Sequence, residues 1–260
     1  MRIVFINGGC SGENIVKAVS KLACEFAIKD KETTLVMECG QEDISIREAF
    51  SFEAAGNLFR EELRYFSLTG FDYLAESIRL GKLSAQDILC NSDSILKDRL
   101  YILPAENTKR YQNGINEYVN LIADEAGVEN VLIAAGDIYD ERMLSSADLI
   151  VVCMGEENLK IEDIFAENAK HIDSAKVFYL ICEEGTVYNK ANLKRIYRIK
   201  DEKIAQISFG EGFDKYYKKG KVKSFSLRSV KFPGLTREDA VRKNMFQNAA
   251  GLIREAANYG

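Results

Sequence analysis

The sequence predicts an α/β fold, a doubly wound and mainly parallel sheet with helices on both faces, and three observations predict it. Continuous runs of Val, Ile and Leu recur along the chain, as in Ile3–Ile6 and Leu149–Met154, and segments of helical period separate them. Strands that are apolar at every position are buried on both faces, the condition of a parallel sheet covered by helices. The third observation is the first strand-to-helix connection, Asn7-Gly8-Gly9-Cys10-Ser11-Gly12-Glu13-Asn14. A glycine-bearing loop in that place points backbone N–H groups at an anion, where a phosphate-binding loop belongs.

Taken in order, strands are expected near Ile3–Ile6, Thr34–Glu38, Leu100–Leu103, Asn130–Ala134, Leu149–Met154, Val177–Cys182 and Ile204–Ile207. Helices are expected near Asn14–Lys29, Asp72–Leu80, Lys109–Glu125, Ile161–His171, Lys190–Arg198 and Arg237–Ala257. The first helix is marked by Ile15, Val16, Val19, Leu22, Ala23 and Phe26, which share one side at 3.6 residues per turn. The last opens on Thr236-Arg237-Glu238-Asp239, a variant of the capping box, and lines up Ala240, Val241, Met245, Ala249, Leu252, Ile253 and Ala256. That alanine-rich face suits docking on a core better than insertion into a membrane.

With 260 residues, 47% of them hydrophobic, the chain is long enough to bury a full core. It has two prolines, Pro104 and Pro233, and no Ser/Gly-rich linker or internal repeat, so residues 1–260 are expected to form one domain. No apolar run reaches the roughly 18 residues of a membrane span, and Met1-Arg2 leads straight into a strand; a cytoplasmic protein is expected. The six cysteines form no C-x-x-C pair, and reduced thiols are the expectation in that compartment.

The net charge of −5 is unevenly spread. Between Lys190 and Lys243 stand 16 Lys or Arg against 6 Asp or Glu, a local +10 that leaves −15 elsewhere. Its densest part holds Lys215, Lys218, Lys219, Lys221 and Lys223, a candidate partner surface for membrane headgroups, nucleic acid or an acidic protein.

The glycine-bearing loop has the context of an ATPase phosphate loop without its residues. Such a loop reads G-x-x-x-x-G-K-[ST], in which lysine neutralises the outer phosphates and the hydroxyl holds magnesium. With Gly12 as the second glycine, Asn7 stands in the first glycine's place, Glu13 in that of the lysine and Asn14 in that of the hydroxyl residue. One unit-charge pair at about 4 Å is worth roughly 4 kcal/mol at an effective dielectric near 20, so this exchange turns attraction into repulsion. Gly8, Gly9, Cys10, Ser11, Gly12, Glu13 and Asn14 therefore form a candidate but degenerate cofactor loop, with room for a weak anion or nucleotide; no tight cofactor and no metal is expected.

In chain order these segments resemble the ParA/MinD family of deviant P-loop ATPases, including its TadZ-like pilus-assembly branch. Thr33-Thr34-Leu35-Val36-Met37-Glu38-Cys39-Gly40 resembles the second strand and its acidic switch, and Leu103-Pro104-Ala105 the "leu-pro-ala" step. Asn130-Val131-Leu132-Ile133-Ala134-Ala135-Gly136 resembles the magnesium-site strand, and Ala147-Asp148-Leu149-Ile150-Val151-Val152 the strand after it. The resemblance implies a bacterial protein of P-loop NTPase fold that localises or assembles a larger machine through protein contacts, with dimerisation and membrane or DNA contact within the family's range. The family's catalytic set does not carry over. Its two lysines fall on Gly8, or Asn7, and on Glu13; the magnesium hydroxyl falls on Asn14, the switch aspartate on Glu38, the magnesium-organising aspartate on Ala134 and the adenine-reading asparagine on Cys182. Phosphoryl transfer is positioning and charge neutralisation, and no catalyst is left. The reading is a non-hydrolysing pseudo-ATPase scaffold; the alternative is a nucleotide-binding switch with altered residues.

A second alternative is an NAD(P) oxidoreductase similar to short-chain dehydrogenases, from Asn7-Gly8-Gly9-Cys10-Ser11-Gly12, Ala134-Ala135-Gly136 and the Y-x-x-x-K spacing of Tyr217 and Lys221. Asn14 stands against it, replacing the glycine that lets the pyrophosphate approach. Cys10, Cys39 and Cys182 fall at the carboxyl ends of expected strands, where a thiol cluster could form, although buried cysteines ordinarily serve as small apolar side chains. His171, the single histidine, suits a helix end. Seven aromatics between Phe50 and Tyr73 (Phe50, Phe52, Phe59, Tyr65, Phe66, Phe71, Tyr73) divide between core and a partner face in this reading.

Overall fold

The computed structural model describes residues 1–39, 45–54, 70–105, 114–138, 140–155, 173–182, 189–231 and 237–259. Among them eight strands form one sheet: β1 (Arg2–Gly8), β2 (Thr34–Glu38), β3 (Asp93–Leu96), β4 (Leu100–Leu103), β5 (Asn130–Gly136), β6 (Leu149–Met154), β7 (Val177–Ile181) and β8 (Ile204–Gln206). The order across the sheet is β3-β4-β2-β5-β1-β6-β7-β8. Every neighbouring pair is parallel except β3 and β4, which run antiparallel. The central strands β1, β5 and β6 are buried at every residue, as their unbroken apolar runs require. Because β5 lies between β1 and β2, the sheet does not have the dinucleotide-binding order, in which the first two strands are adjacent.

The helices are α1 (Gly12–Glu25), α2 (Ile46–Ala54), α3 (Phe71–Arg79), α4 (Ala85–Asn91), α5 (Ile115–Glu125), α6 (Glu141–Ser145), α7 (Lys190–Tyr197), α8 (Glu211–Tyr217), α9 (Val222–Lys231) and α10 (Arg237–Tyr259). Two apolar layers flank the sheet. One joins α1, α2, α8, α9 and α10 to the side chains of Phe5, Val151 and Phe178; the other joins α3, α5 and α6 to Val4, Ile133 and Val152.

α1 begins where Ser11 caps it, its side chain accepting the Asn14 N–H at 3.3 Å, and it runs into one π-helical turn, Phe26–Asp30. All six apolar residues expected on its inner side are buried. So is most of its outer side, including Lys17, Lys21 and Glu25, because α9 and α10 cover it. Lys21 and Glu25 pair as i and i+4, and the Lys21 ammonium lies 5.9 Å from the Phe225 ring centroid and 5.6 Å from that of Phe246. Burying each large apolar side chain of α1 contributes about 1.5–3 kcal/mol, which makes this helix the centre of its layer.

Several expectations are corrected. β3 was not anticipated, nor were α2, α4, α6, α8 and α9. α10 turns Phe246, Ala249, Ala250 and Ile253 to the core, whereas Val241, placed on that face from the sequence, is 54% exposed. The expected helix Ile161–His171 lies outside the described residues, as do residues 109–113 of Lys109–Glu125 and Thr236 of the capping box.

Candidate functional site

The carboxyl end of β1 is closed by its own first loop residue. The Asn7 side-chain oxygen accepts the Gly9 N–H at 2.9 Å and the Cys10 N–H at 2.7 Å, an Asx turn in which the side chain takes the place of an anion. Its amide nitrogen donates to the Asp137 carboxylate at 2.8 Å. Asp137 reaches this position through a bulge: β1 and β5 pair Phe5 with Ala134 but Ile6 with Gly136, so Ala135 is an extra residue, and Gly136 turns at φ +57. Sequence reasoning missed Asp137, looking for its acid at Ala134. Asn-Gly-Gly after a strand, by contrast, is a legible Asx-turn signal.

The next residues fix the loop against β6. Gly8 pairs with Met154, and a Cβ on Gly8 would lie 2.6 Å from Val152 Cγ1 and 2.9 Å from the Cys153 carbonyl. A Cβ on Gly155 would come within 2.3 Å of the Gly9 carbonyl. There is thus no space for a side chain at Gly8, one of the two positions on which a lysine could fall. Glu13, in the first turn of α1, pairs with Lys17 at 2.8 Å, and Lys17 also pairs with Asp214 of α8 at 2.8 Å. Burial opposes the Lys17 charge, but hydrogen bonds to Asp214 and Glu13 outweigh it and its pKa lies above the ordinary value. Counting formal charges, one ammonium between two carboxylates leaves the group at −1.

Beneath the loop, the Cys182 thiol donates to the Leu180 carbonyl at 3.6 Å, and the neighbouring thiols of Cys10 and Cys153 together with burial push its pKa upward. Cys153, not Cys39, completes this group. Cys39 lies in the other layer with its sulfur 3.9 Å from Met143 Sδ, and burial raises its pKa to about 12. Among the described residues no group of three or more His, Cys, Asp or Glu is arranged to hold a metal ion.

The second rim of the site is the β2–α2 junction. Glu38 is 1% exposed; one carboxylate oxygen accepts the Ile46 N–H of α2 at 2.7 Å and the other the Ala105 N–H at 2.9 Å. The residue in the place of a switch acid thus ties α2 to the end of β4.

The partner-surface lysines separate. Lys215, Lys218 and Lys219 are exposed, Lys221 lies over the Phe52 ring at 3.7 Å, and the half-buried Lys223 ammonium donates to the Ile95 carbonyl at 3.0 Å. Of the aromatic stretch, Phe50 and Phe71 are core, Phe52 is 62% and Tyr73 37% exposed, and Phe59, Tyr65 and Phe66 lie outside the described residues. Tyr217 is buried in an aromatic stack with Phe213, and burial raises its phenol pKa, contrary to what a dehydrogenase base needs. No described helix is long and apolar enough to cross a membrane.

No family model matches the sequence, and no curated protein does. Solved structures do match. A ParA family ATPase from Chlorobium tepidum TLS superimposes with a TM-score of 0.65 at 13% identity, covering 98% of each chain. The cell division ATPase MinD of Pyrococcus furiosus gives 0.63 at 11% identity, again over 98% of each chain. The septum site-determining protein MinD from Pyrococcus horikoshii OT3, solved with Mg-ADP, gives 0.62 at 12% identity over 96% of this chain and 95% of that one. The chain has the fold of the ParA and MinD P-loop ATPases.

Proposed function

We propose that the chain is a non-hydrolysing scaffold on a ParA/MinD-type fold, one that localises or assembles a larger machine through protein contacts. The observation that carries this reading is the Asn7 side chain, which takes the Gly9 and Cys10 N–H groups that would otherwise face a phosphate. Glu13 and the closed Gly8 position argue the same way, and the ammonium of Lys17, the cation that magnesium triphosphate would require, is held between Glu13 and Asp214. The residues present do not fit that group. TadZ-like assembly factors are the branch whose role such a site suits.

The second reading, a nucleotide-responsive switch with altered residues, is favoured by one observation: Asp137 holds a carboxylate beside the loop. Titration calorimetry with ATP and ADP, with and without magnesium, together with phosphate release, separates the two. The scaffold reading expects no saturable binding tighter than roughly millimolar and no release above blank. Micromolar, magnesium-dependent binding overturns it in favour of the switch.

A further inference from the structure

We infer that the tip of α2 and the α8–α9 turn form a docking surface for an acidic peptide segment of a partner protein. This inference rests on the scaffold reading and gives that scaffold its contact.

The surface is built from both sides. Gly220 turns at φ +62, and a Cβ there would lie 2.1 Å from Ser51 Oγ and 2.7 Å from the Phe52 nitrogen, so the turn sits directly on α2. From the other direction, the Glu53 carboxylate accepts the N–H groups of Lys223 at 2.9 Å and Ser224 at 2.7 Å, with the Ser224 hydroxyl at 2.5 Å, capping α9. Held between them is an aromatic ring, Phe52, 62% exposed with the Lys221 ammonium 3.7 Å from its centroid. Lys218 and Lys219 stand exposed on the same turn, while the neighbouring acid Asp214 is directed inward to Lys17. An exposed ring with one ammonium on its face and two more lysines on the adjoining turn, carried on a backbone that the Gly220 and Glu53 contacts fix before binding, is the arrangement of an interface hot spot, whose preorganisation lowers the ordering cost of association.

Charge selects the occupant. The chain as a whole carries −5, with −15 outside the basic segment, so a bilayer or a duplex, which extends beyond the patch, also meets the negative body. A short acidic segment can engage Lys218, Lys219 and Lys221 locally, since screening limits each charge to about 8 Å at physiological salt. Lys221 argues against the bilayer as well: to insert Phe52 into hydrocarbon would strip water from an ammonium lying on the ring. A peptide carboxylate can instead pair with that ammonium while an apolar neighbour packs on the ring edge.

The probe is a labelled peptide of alternating glutamate and leucine, about twelve residues long, followed by fluorescence anisotropy against the full chain; its charge and apolar repeat match the patch. Binding at low salt is expected, weakened about tenfold by Phe52→Ser, as burial of one phenyl ring implies. A comparable loss is expected from Lys218→Glu with Lys219→Glu, and none from Lys190→Glu with Lys194→Glu, which lie in the same basic segment but pair with Asp201. If Phe52→Ser lowers the thermal midpoint, the exposed pair Lys218→Gln and Lys219→Gln carries the test. No binding at low salt, equal binding by patch and control variants, or tighter binding to a DNA duplex or to phosphatidylserine vesicles overturns the inference. Nucleotide titration is a separate readout, so the scaffold can stand while this surface falls, and the reverse.

Discussion

Two loops at the carboxyl edge of the sheet meet the same need in different ways. After β1, the free N–H groups of Gly9 and Cys10 are taken by a neutral amide, that of Asn7; after β2, those of Ile46 and Ala105 are taken by a buried carboxylate, that of Glu38. A neutral group within its own loop can be exchanged for an outside anion at modest cost. A buried charge that joins α2 to Ala105, 67 residues from Glu38 in the chain, cannot leave without exposing donors on both. The first loop is closed by its own side chain, and the second is a structural clamp.

The largest expected effect tests the clamp. Glu38→Ala removes an acceptor from two buried N–H groups, each hydrogen bond to a charged group being worth about 1.5–3 kcal/mol, so a loss of about 3–6 kcal/mol in chemical denaturation is expected. Glu38→Gln keeps one acceptor oxygen and should lose about half as much. A loss below about 1 kcal/mol for the alanine variant would erase the distinction between the two loops.

Alkaline titration sharpens it. Burial raises Cys39, next to Glu38, and Cys24, in the last turn of α1, from 9.0 to about 12. Their folded pKa values lie above the unfolded ones, so the stability they contribute is complete below pH 9 and is lost as the pH rises toward 12, where the unfolded thiols ionise first. Stability should therefore fall steeply over that window, and less steeply in Cys24→Ala and Cys39→Ala. Because the Glu38 charge contributes to the Cys39 shift after burial, Glu38→Gln should lower the folded-state pKa of Cys39 and so bring the upper end of the window downward, with its onset at the unfolded value unchanged. Equal alkaline slopes in all variants would show that these thiols are not shielded as their burial requires.

This contrast was only partly legible in the sequence. β1, β2 and β4 to β8 announce themselves because a strand covered on both faces must be apolar throughout. β3 does not, since an edge strand with Asp93 and Ser94 satisfies neither that pattern nor a clean alternation. The burial of Lys17 and Lys21 was hidden by their charge. Only the aromatic ridge of Phe209, Phe213, Tyr217, Phe225 and Phe246, arriving two hundred residues later, covers them. At the site, the Asn7 turn could have been read from Asn-Gly-Gly, but its partner Asp137 depends on a bulge, a register event between strands that a single sequence does not record. Glu38 could be seen as an acid out of place; which two N–H groups it would meet depends on the sheet order that sets β4 beside β2.

Opening the first loop is expected to cost less than breaking the clamp. Asn7→Gly should lower stability by about 1 kcal/mol, because the Gly9 and Cys10 N–H groups then face water or an anion instead of the side chain. Its mark is in binding: inorganic phosphate or sulfate should protect Asn7→Gly against thermal unfolding and leave the wild type unchanged, since a ligand stabilises only the state that binds it. Protection of both to the same extent would mean that Asn7 does not close the loop.

The smallest stability effect and the most selective binding effect belong to Glu13→Lys. Its side chain is 54% exposed, so solvent screens its pair with the buried Lys17, and exchange should change stability by less than about 1 kcal/mol. Lys17 keeps Asp214, at 2.8 Å, and so retains one of its two carboxylates. Combined with Asn7→Gly, however, the substitution replaces a repulsion with an attraction at the mouth of a loop whose N–H groups are now available, and at an effective dielectric near 20 each such pair is worth roughly 4 kcal/mol before desolvation. The double variant should therefore bind ATP measurably where neither single variant does, with an affinity that falls as salt is raised. If Glu13→Lys alone suffices, charge rather than the Asn7 amide keeps anions out, and the first loop is a repulsive site instead of an occupied one. If the double variant still binds nothing, the closure lies deeper, in the contact of Gly8 and Gly155 with their neighbouring strands, and the two loops of the rim are both structural.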